Sequence, residues 1–259
     1  MAAEALSPPA DWRDYRPARD ALAGRVILVT GATAGIGCAV ARALAAHGAT
    51  LLLHGRSAKK LEELYQELAR IGPEPAVAEL DFERAQGPQY LALTEEIEKR
   101  YGRLDGLLHN AGVLGDLSPI EHYDIGVWQR VLLVNLTAPF ILTRCLLPLL
   151  RKSADASVLF TTSSVGNRGR ALWGAYAVSK FGTEGLAQVL ADELENTPIR
   201  VNSINPGATR TRMRAQAYPA ENPETLPAPD ALTLPYLYLL GPAARGVRGQ
   251  RIDAQPRAR

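Results

Sequence analysis

Side chains that bind metals or act as nucleophiles are scarce in this chain of 259 residues, which has two cysteines, four histidines and five lysines. Cys38 and Cys145 cannot build a disulfide framework or a four-cysteine zinc site, and they suit a reducing, cytoplasmic setting. His47, His54, His109 and His122 show no ligand spacing, so no metal is expected. Charge nearly cancels, 29 basic side chains against 27 acidic, and no basic stripe argues for nucleic acid as a partner. The amino terminus lacks the basic start and apolar run of a signal peptide. The most apolar region, residues 131–150, is interrupted by Asn135, Thr143, Arg144 and Pro148. A bilayer span needs about 20 mainly apolar residues, so no membrane segment is expected. One asymmetry stands out: residues 200–259 carry nine basic and four acidic side chains.

What is present is a regular alternation. Residues 25–30, 50–55, 75–81, 104–109, 157–162, 199–205 and 250–254 read as strands. Residues 35–47, 57–71, 88–101, 124–152 and 175–196 read as helices, with a proline-rich loop at 219–229 and a short helix near 230–240. Continuously apolar strands are buried on both faces, as in a parallel sheet covered by helices. The expected fold is therefore α/β, a single-domain doubly wound Rossmann fold with about seven parallel strands. The domain is expected over residues 23–259, preceded by a flexible arm at 1–22 that contains Pro8 and Pro9.

The first strand runs into Thr30-Gly31-Ala32-Thr33-Ala34-Gly35-Ile36-Gly37 and then a helix. Such a turn brings backbone N–H groups and the positive end of a helix dipole onto a pyrophosphate, so Gly31, Thr33, Ala34, Gly35, Ile36 and Gly37 are cofactor-binding candidates. A mononucleotide P-loop is disfavoured because no Gly-Lys-Ser or Gly-Lys-Thr follows. Tyr176 and Lys180 stand four apart on a helix and share a face. An ammonium beside a phenol should lower the phenol from its ordinary pKa of about 10 and make Tyr176 a proton donor or acceptor. Ser163 lies 13 residues upstream, at the carboxyl end of a strand, where open α/β sheets place their ligands. Ser164 is its rival for the same role.

Gly-x3-Gly-x-Gly, Asn110-Ala111-Gly112, Asn135, Ser163, Tyr-x3-Lys and Pro206-Gly207 occur in that order. In this the chain resembles the short-chain dehydrogenase/reductase family over residues 25 to about 254. The stretches LDGLLHNAGVLGD, WGAYAVSKFGTEG, INPGATRTRMRA and IDAQP look like its bacterial YciK-type oxidoreductases. The resemblance implies a catalytic set of Asn135, Ser163, Tyr176 and Lys180, in which Asn135 supports a water that relays protons from the lysine. It also implies that Asp81 and Phe82 meet the adenine, that Asn110, Ala111 and Gly112 flank the adenine ribose, and that Pro206, Gly207, Thr209 and Thr211 line the nicotinamide side, with Tyr176 and Lys180 also touching the cofactor.

The second strand ends in Arg56 and Ser57 where an NAD-preferring site has an acidic residue, so NADP(H) is expected, with NAD(H) as the alternative. Ala34 tempers that expectation, because many NADP(H)-preferring relatives have a second basic residue there. The reaction implied is interconversion of a small-molecule carbonyl and alcohol by hydride transfer. A non-catalytic dinucleotide sensor or scaffold is the alternative from another class. Trp173 and the arginines Arg168, Arg170, Arg210, Arg212 and Arg214 should border the cleft; either the arginines read an anionic group on the substrate or they are simply solvated. Relatives pair through the helices matching 124–152 and 175–196, which implies a homodimer or homotetramer.

Overall fold

In the computed structural model, residues 11–255 are described. Seven parallel strands form one sheet: β1 Val26–Thr30, β2 Thr50–Gly55, β3 Ala76–Glu79, β4 Gly106–His109, β5 Ala156–Thr161, β6 Ile199–Asn205 and β7 Arg251–Asp253, in the order β3-β2-β1-β4-β5-β6-β7. The central strands β1, β4 and β5 are buried along their whole length. β3 instead alternates, with Val77 and Glu79 exposed, because an edge strand has only one covered flank. The strand order reverses between β1 and β4, and an open α/β sheet leaves its ligand crevice at such a switch point, beyond the carboxyl ends of the strands.

The helices are α1 Gly35–Ala46, α2 Ala58–Leu68, α3 Gly87–Tyr101, α4 Ile125–Leu132, α5 Ala138–Arg151, α6 Gly174–Glu193, α7 Arg212–Ala217 and α8 Thr233–Leu240. One apolar cluster packs α3, α5 and α6 against one face of the sheet, and a second packs α1, α2 and α8 against the other. The single helix expected at 124–152 is divided by a π-helical turn at Leu133–Thr137. Pro139 supplies the reason. It has no N–H to offer the carbonyl four residues back, which belongs to Asn135, and the helix widens there. Thr183 on α6 donates to that carbonyl instead, at 3.2 Å.

Two sequence expectations need correction. The run Ile125–Arg151 is apolar enough by length and composition alone to cross a membrane, so the polar interruptions cannot by themselves carry the expectation that no segment does. Its apolar side chains have another use, since Leu142, Leu146, Leu149 and Leu150 form part of the core. Of the flexible arm expected at 1–22, the described part, residues 11–22, is held against the domain. Residues 1–10 lie outside the described residues, but a 3-10 turn at Trp12–Asp14 leads into chain that docks on the domain. Tyr15 and Leu22 are buried, and Tyr15 sits 5.5 Å from the Tyr238 ring of α8. Burying two such side chains stabilises by about 3 to 6 kcal/mol, enough to hold the segment down.

Candidate active site

The cradle follows from crowding. Gly31 has φ +65°, and a Cβ there would stand 2.8 Å from Ala111 Cα; at Gly37 it would collide with the Gly31 carbonyl and the Asn110 amide. Only glycine lets these three segments meet. Thr30 then gathers them. Its hydroxyl donates to the Leu108 carbonyl at 3.1 Å and accepts from the N–H groups of Asn110 and Ala111 at 2.9 and 3.1 Å. Ala34 precedes α1 with no side-chain cap, so the first N–H groups of the helix keep their donor capacity for an anion.

Beside the cradle, Arg56 is exposed at the end of β2 and donates to Glu83 at 2.8 Å; Glu83 also pairs with Arg130 at 3.0 Å. Ser57 precedes α2 without using its hydroxyl as a cap. Asp81 accepts from the Glu83 N–H at 3.1 Å, next to an open cavity of about 340 Å³ lined in part by Asp81, Arg84 and Gln89. The Phe82 ring turns inward and stacks on His54 at 4.2 Å, so only its backbone faces the crevice. His109 likewise serves packing. It stacks on Phe160 and its Nε2 meets the Thr143 hydroxyl at 2.8 Å.

On the far side of the switch point, Asn135, Ser163, Tyr176 and Lys180 come together. Tyr176 and Lys180 share the inner face of α6, and both are buried. Lys180 Nζ donates to the Thr161 carbonyl at 2.8 Å and lies 5.7 Å from the centre of the Tyr176 ring. Burial pushes the lysine down to about 8, opposed by the charge of Glu184. The expected lowering of Tyr176 does not follow from this geometry. Burial pushes the phenol up to about 12, and the opposing influence is a hydrogen bond with the Ser163 side chain rather than the ammonium. That bond also separates the two serines, since Ser164 points to solvent.

Asn135 sits in the π-turn with its side chain committed to protein. Its Oδ1 accepts from the Val113 N–H at 2.8 Å, and its Nδ2 donates to the Val113 carbonyl at 2.9 Å and to Ser179 Oγ at 3.0 Å. The loop after β4, carrying Asn110 to Gly112, is thereby fixed to α6. Pro206 and Gly207 follow β6, where Gly207 has φ +77° and Thr209 Oγ1 donates back to the Gly207 carbonyl at 3.2 Å. Thr211 caps α7 by accepting from the Arg214 N–H at 3.2 Å, and its methyl lies 3.4 Å from where a Gly35 Cβ would be. Thr33 and Ile36 lie in the cradle, with Ile36 packed partly into the core.

The short chain dehydrogenase family matches residues 25–222. The chain belongs to that family. The oxidoreductase YciK of Escherichia coli (strain K12) is 48% identical over 243 residues, 93% of this chain and 96% of that protein. Among solved structures, a Pseudomonas syringae short chain dehydrogenase is 55% identical with a TM-score of 0.92, covering 93% of this chain and 99% of that one. A Shigella flexneri 2a short chain dehydrogenase complexed with NADP is 48% identical with a TM-score of 0.90, covering 92% and 100%. As a short-chain dehydrogenase the chain is an oxidoreductase with a nucleotide-binding Rossmann fold.

The cleft of this dehydrogenase also contains residues that the sequence reading did not single out. Gln255 donates to the carbonyls of Pro206 and Ala208 at 2.7 and 2.8 Å and fixes the loop after β6; the only prior sign of it was its place in the IDAQP stretch. Leu114, Val165, Met213 and Ala217 pack around Tyr176 together with Trp173, which the sequence already puts beside the cleft. Leu172 has φ +73°, an arrangement that costs about 1 to 2 kcal/mol outside glycine and that delivers Trp173 to within 5.8 Å of the Tyr176 ring. Of the five arginines, Arg210 pairs with Glu224 and Arg214 with Glu221, each at 2.6 Å. Arg170 donates to the Tyr218 hydroxyl at 2.5 Å.

Proposed function

We propose that this dehydrogenase uses NADP(H) to interconvert a carbonyl and an alcohol, with Tyr176 as the general acid and base. The observation that carries the reading is the grouping of Tyr176, Ser163 and Lys180 across the switch point from an uncapped helix terminus bordered by Gly31 and Gly37. The cradle fits a dinucleotide: the first turn of α1 has no side-chain cap, and a Cβ at Gly31 or Gly37 would force apart the backbone segments that border it. When bound, the nicotinamide supplies or accepts the hydride.

The chain supplies everything else. A phenol pushed up to about 12 is protonated at neutral pH and ready to donate, which suits the reductive direction. Ser163 and Tyr176 hold and polarise the substrate oxygen, and Tyr176 passes its proton as charge develops there. Lys180 stabilises the resulting phenolate while the Thr161 carbonyl fixes its ammonium. Asn135 keeps the loop after β4 in place against α6. Arg56 and the uncommitted Ser57 hydroxyl read the 2′-phosphate, a reading supported by the Shigella flexneri relative complexed with NADP.

The substrate has an apolar body, which Trp173, Met213, Ala217, Leu114 and Val165 enclose. Any anionic handle falls to Arg168, Arg170 or Arg212, because Arg210 and Arg214 are already neutralised by glutamates; of the three, Arg170 contacts Tyr218, which is next to Trp173. Exposed Phe140 on α5 and Val178, Phe181 and Val189 on α6 form the surface through which copies pair as a homodimer or homotetramer, to be checked by solution mass. With two free thiols, the setting is read as cytoplasmic. The decisive experiment is a carbonyl screen with NADPH and NADH in parallel on the wild type and Tyr176→Phe. Turnover that survives the loss of the phenol overturns the assignment.

A further inference from the structure

Each residue at the end of β5 is held by a different long side chain. The Thr161 carbonyl accepts from Lys180 at 2.8 Å, Thr162 Oγ1 donates to Glu184 at 2.6 Å, and the Ser163 carbonyl accepts from Arg251 at 3.5 Å. Glu184 and Arg251 are themselves an ion pair, Nε to Oε1 at 2.9 Å, with the Glu184 side chain only 9% exposed. The other oxygen of Glu184 accepts from Ser203 on β6 at 2.6 Å. Arg251 reaches further: it pairs with Asp253 at 3.1 Å, Asp253 accepts from Asn205 at 2.9 Å, and Asn205 accepts from the Gly207 N–H at 3.1 Å.

A buried carboxylate and guanidinium are costly to desolvate, and a hydrophobic pair of similar volume would be no less stabilising. Stability alone therefore does not explain their presence. Their connections do, for they run to Ser163, to the acceptor of Lys180 and to the Pro206-Gly207 loop, which together border the cleft. Glu184 is also one turn from Lys180 on α6. The charged and titratable groups bearing on that ammonium are Glu184 and Tyr176 from α6 and His109 from β4.

We propose that Glu184 and Arg251 are positioning residues: they lock the Thr161–Ser163 segment between α6 and β7 and place the Glu184 carboxylate one turn from Lys180, while touching no substrate. The inference rests on the catalytic reading of Ser163, Tyr176 and Lys180 given above. Glu184→Gln preserves shape and removes the charge; Arg251→Lys keeps a charge but cannot reach three partners at once. In Glu184→Gln, kcat for carbonyl reduction should fall about tenfold or more with KM and NADPH affinity within about twofold, and the alkaline limb of the pH profile should move about one pH unit lower. Arg251→Lys should lower kcat less than Arg251→Met at unchanged NADPH affinity.

A second readout needs no turnover. With only five lysines, ε-carbon-labelled protein gives five NMR titrations, and Lys180→Arg identifies the relevant one. Its midpoint should fall by about one pH unit in Glu184→Gln. An unmoved midpoint, a wild-type pH profile, or equal losses in kcat for Arg251→Lys and Arg251→Met overturns the positioning role. Tyr176→Phe retaining activity would instead overturn the catalytic reading and leave the lysine titration interpretable by itself.

Discussion

Lys180 Nζ lies 5.7 Å from the Tyr176 ring centre yet spends its hydrogen bond on the Thr161 carbonyl. The two groups are thus neighbours whose environments push them in opposite directions, the phenol up to about 12 and the ammonium down to about 8. Separated in this way, a phenol that keeps its proton and a lysine that titrates near working pH have distinct roles as donor and electrostatic support. The lysine is charged below about 8 and loses its proton above it, so support for a developing phenolate disappears on the alkaline side. Carbonyl reduction should therefore decline as pH rises through about 8, while Tyr176→Phe should lower kcat by about 10² to 10⁴ at every pH. A reduction rate flat from pH 6 to 9.5 would contradict this assignment of the alkaline limb.

The Arg56–Glu83 pair bears on the choice of dinucleotide. It is exposed, so it contributes only about 0 to 1 kcal/mol and gives way readily to a phosphate. Arg130 holds the other oxygen of Glu83, so the carboxylate keeps a partner when Arg56 turns away. Arg56→Ala should weaken NADPH binding roughly ten- to hundredfold, the value of a charge-assisted contact, and leave NADH nearly unchanged. Glu83→Gln should strengthen NADPH binding a few-fold by removing the competitor. Fluorescence titration of both nucleotides checks both outcomes, and equal losses for NADPH and NADH in Arg56→Ala would refute the role.

Strand positions were readable wherever local pattern determines them: β2 and β6 span the same residues in sequence and structure because their apolar runs are bounded by turn residues. The proximity of Tyr176 and Lys180 was readable for a different reason, since they share one helix and i,i+4 spacing fixes their common face. What escaped depends on contacts between distant segments. The π-turn at Asn135 needed Pro139 to be weighed against a carbonyl four residues earlier. Docking of Tyr15 required knowledge of α8, more than 200 residues away. The elevation of Tyr176 came from burial under Trp173 and α7, and α7 was hidden in what read as cofactor loop. Composition misled once more, over the basic carboxyl-terminal region. Arg200 there is fully buried and paired with Asp155 at 3.0 Å, and Arg251 braces β5, so part of that charge is internal.

The buried imidazoles make the fold sensitive to acid. Burial pushes His54 down to about 4 and His109 down to about 3, whereas both are near 6.5 in an unfolded chain. Between those values the unfolded chain binds protons that the folded one refuses, so stability falls as pH drops below about 6.5 and is constant above it with respect to these two groups. Two such groups give a slope of about 3 kcal/mol per pH unit at its steepest. Melting temperatures at pH 7.5, 6.0 and 5.0 should fall progressively, and His54→Leu should lessen the dependence. A melting temperature independent of pH over that range would rule out neutral burial of both rings.

Arg170 offers the sharpest test of what the cleft accepts. Its guanidinium lies 5.6 Å from the Tyr218 ring, which is 5.9 Å from Trp173, which is in turn 5.8 Å from Tyr176. An aromatic row therefore joins Tyr176 to a cation whose only side-chain partner among the described contacts is the Tyr218 hydroxyl. Arg214 stacks closer to Tyr218, at 3.7 Å, but its charge is taken up by Glu221. For matched ketones differing only in a terminal carboxylate, Arg170→Ala should lower kcat/KM for the acid roughly tenfold or more and leave the neutral ketone within about twofold. Arg214→Ala should affect both ketones equally, because it loosens α7 without removing a free cation. Equal losses for both ketones in Arg170→Ala would assign that arginine to holding Tyr218 rather than to reading substrate.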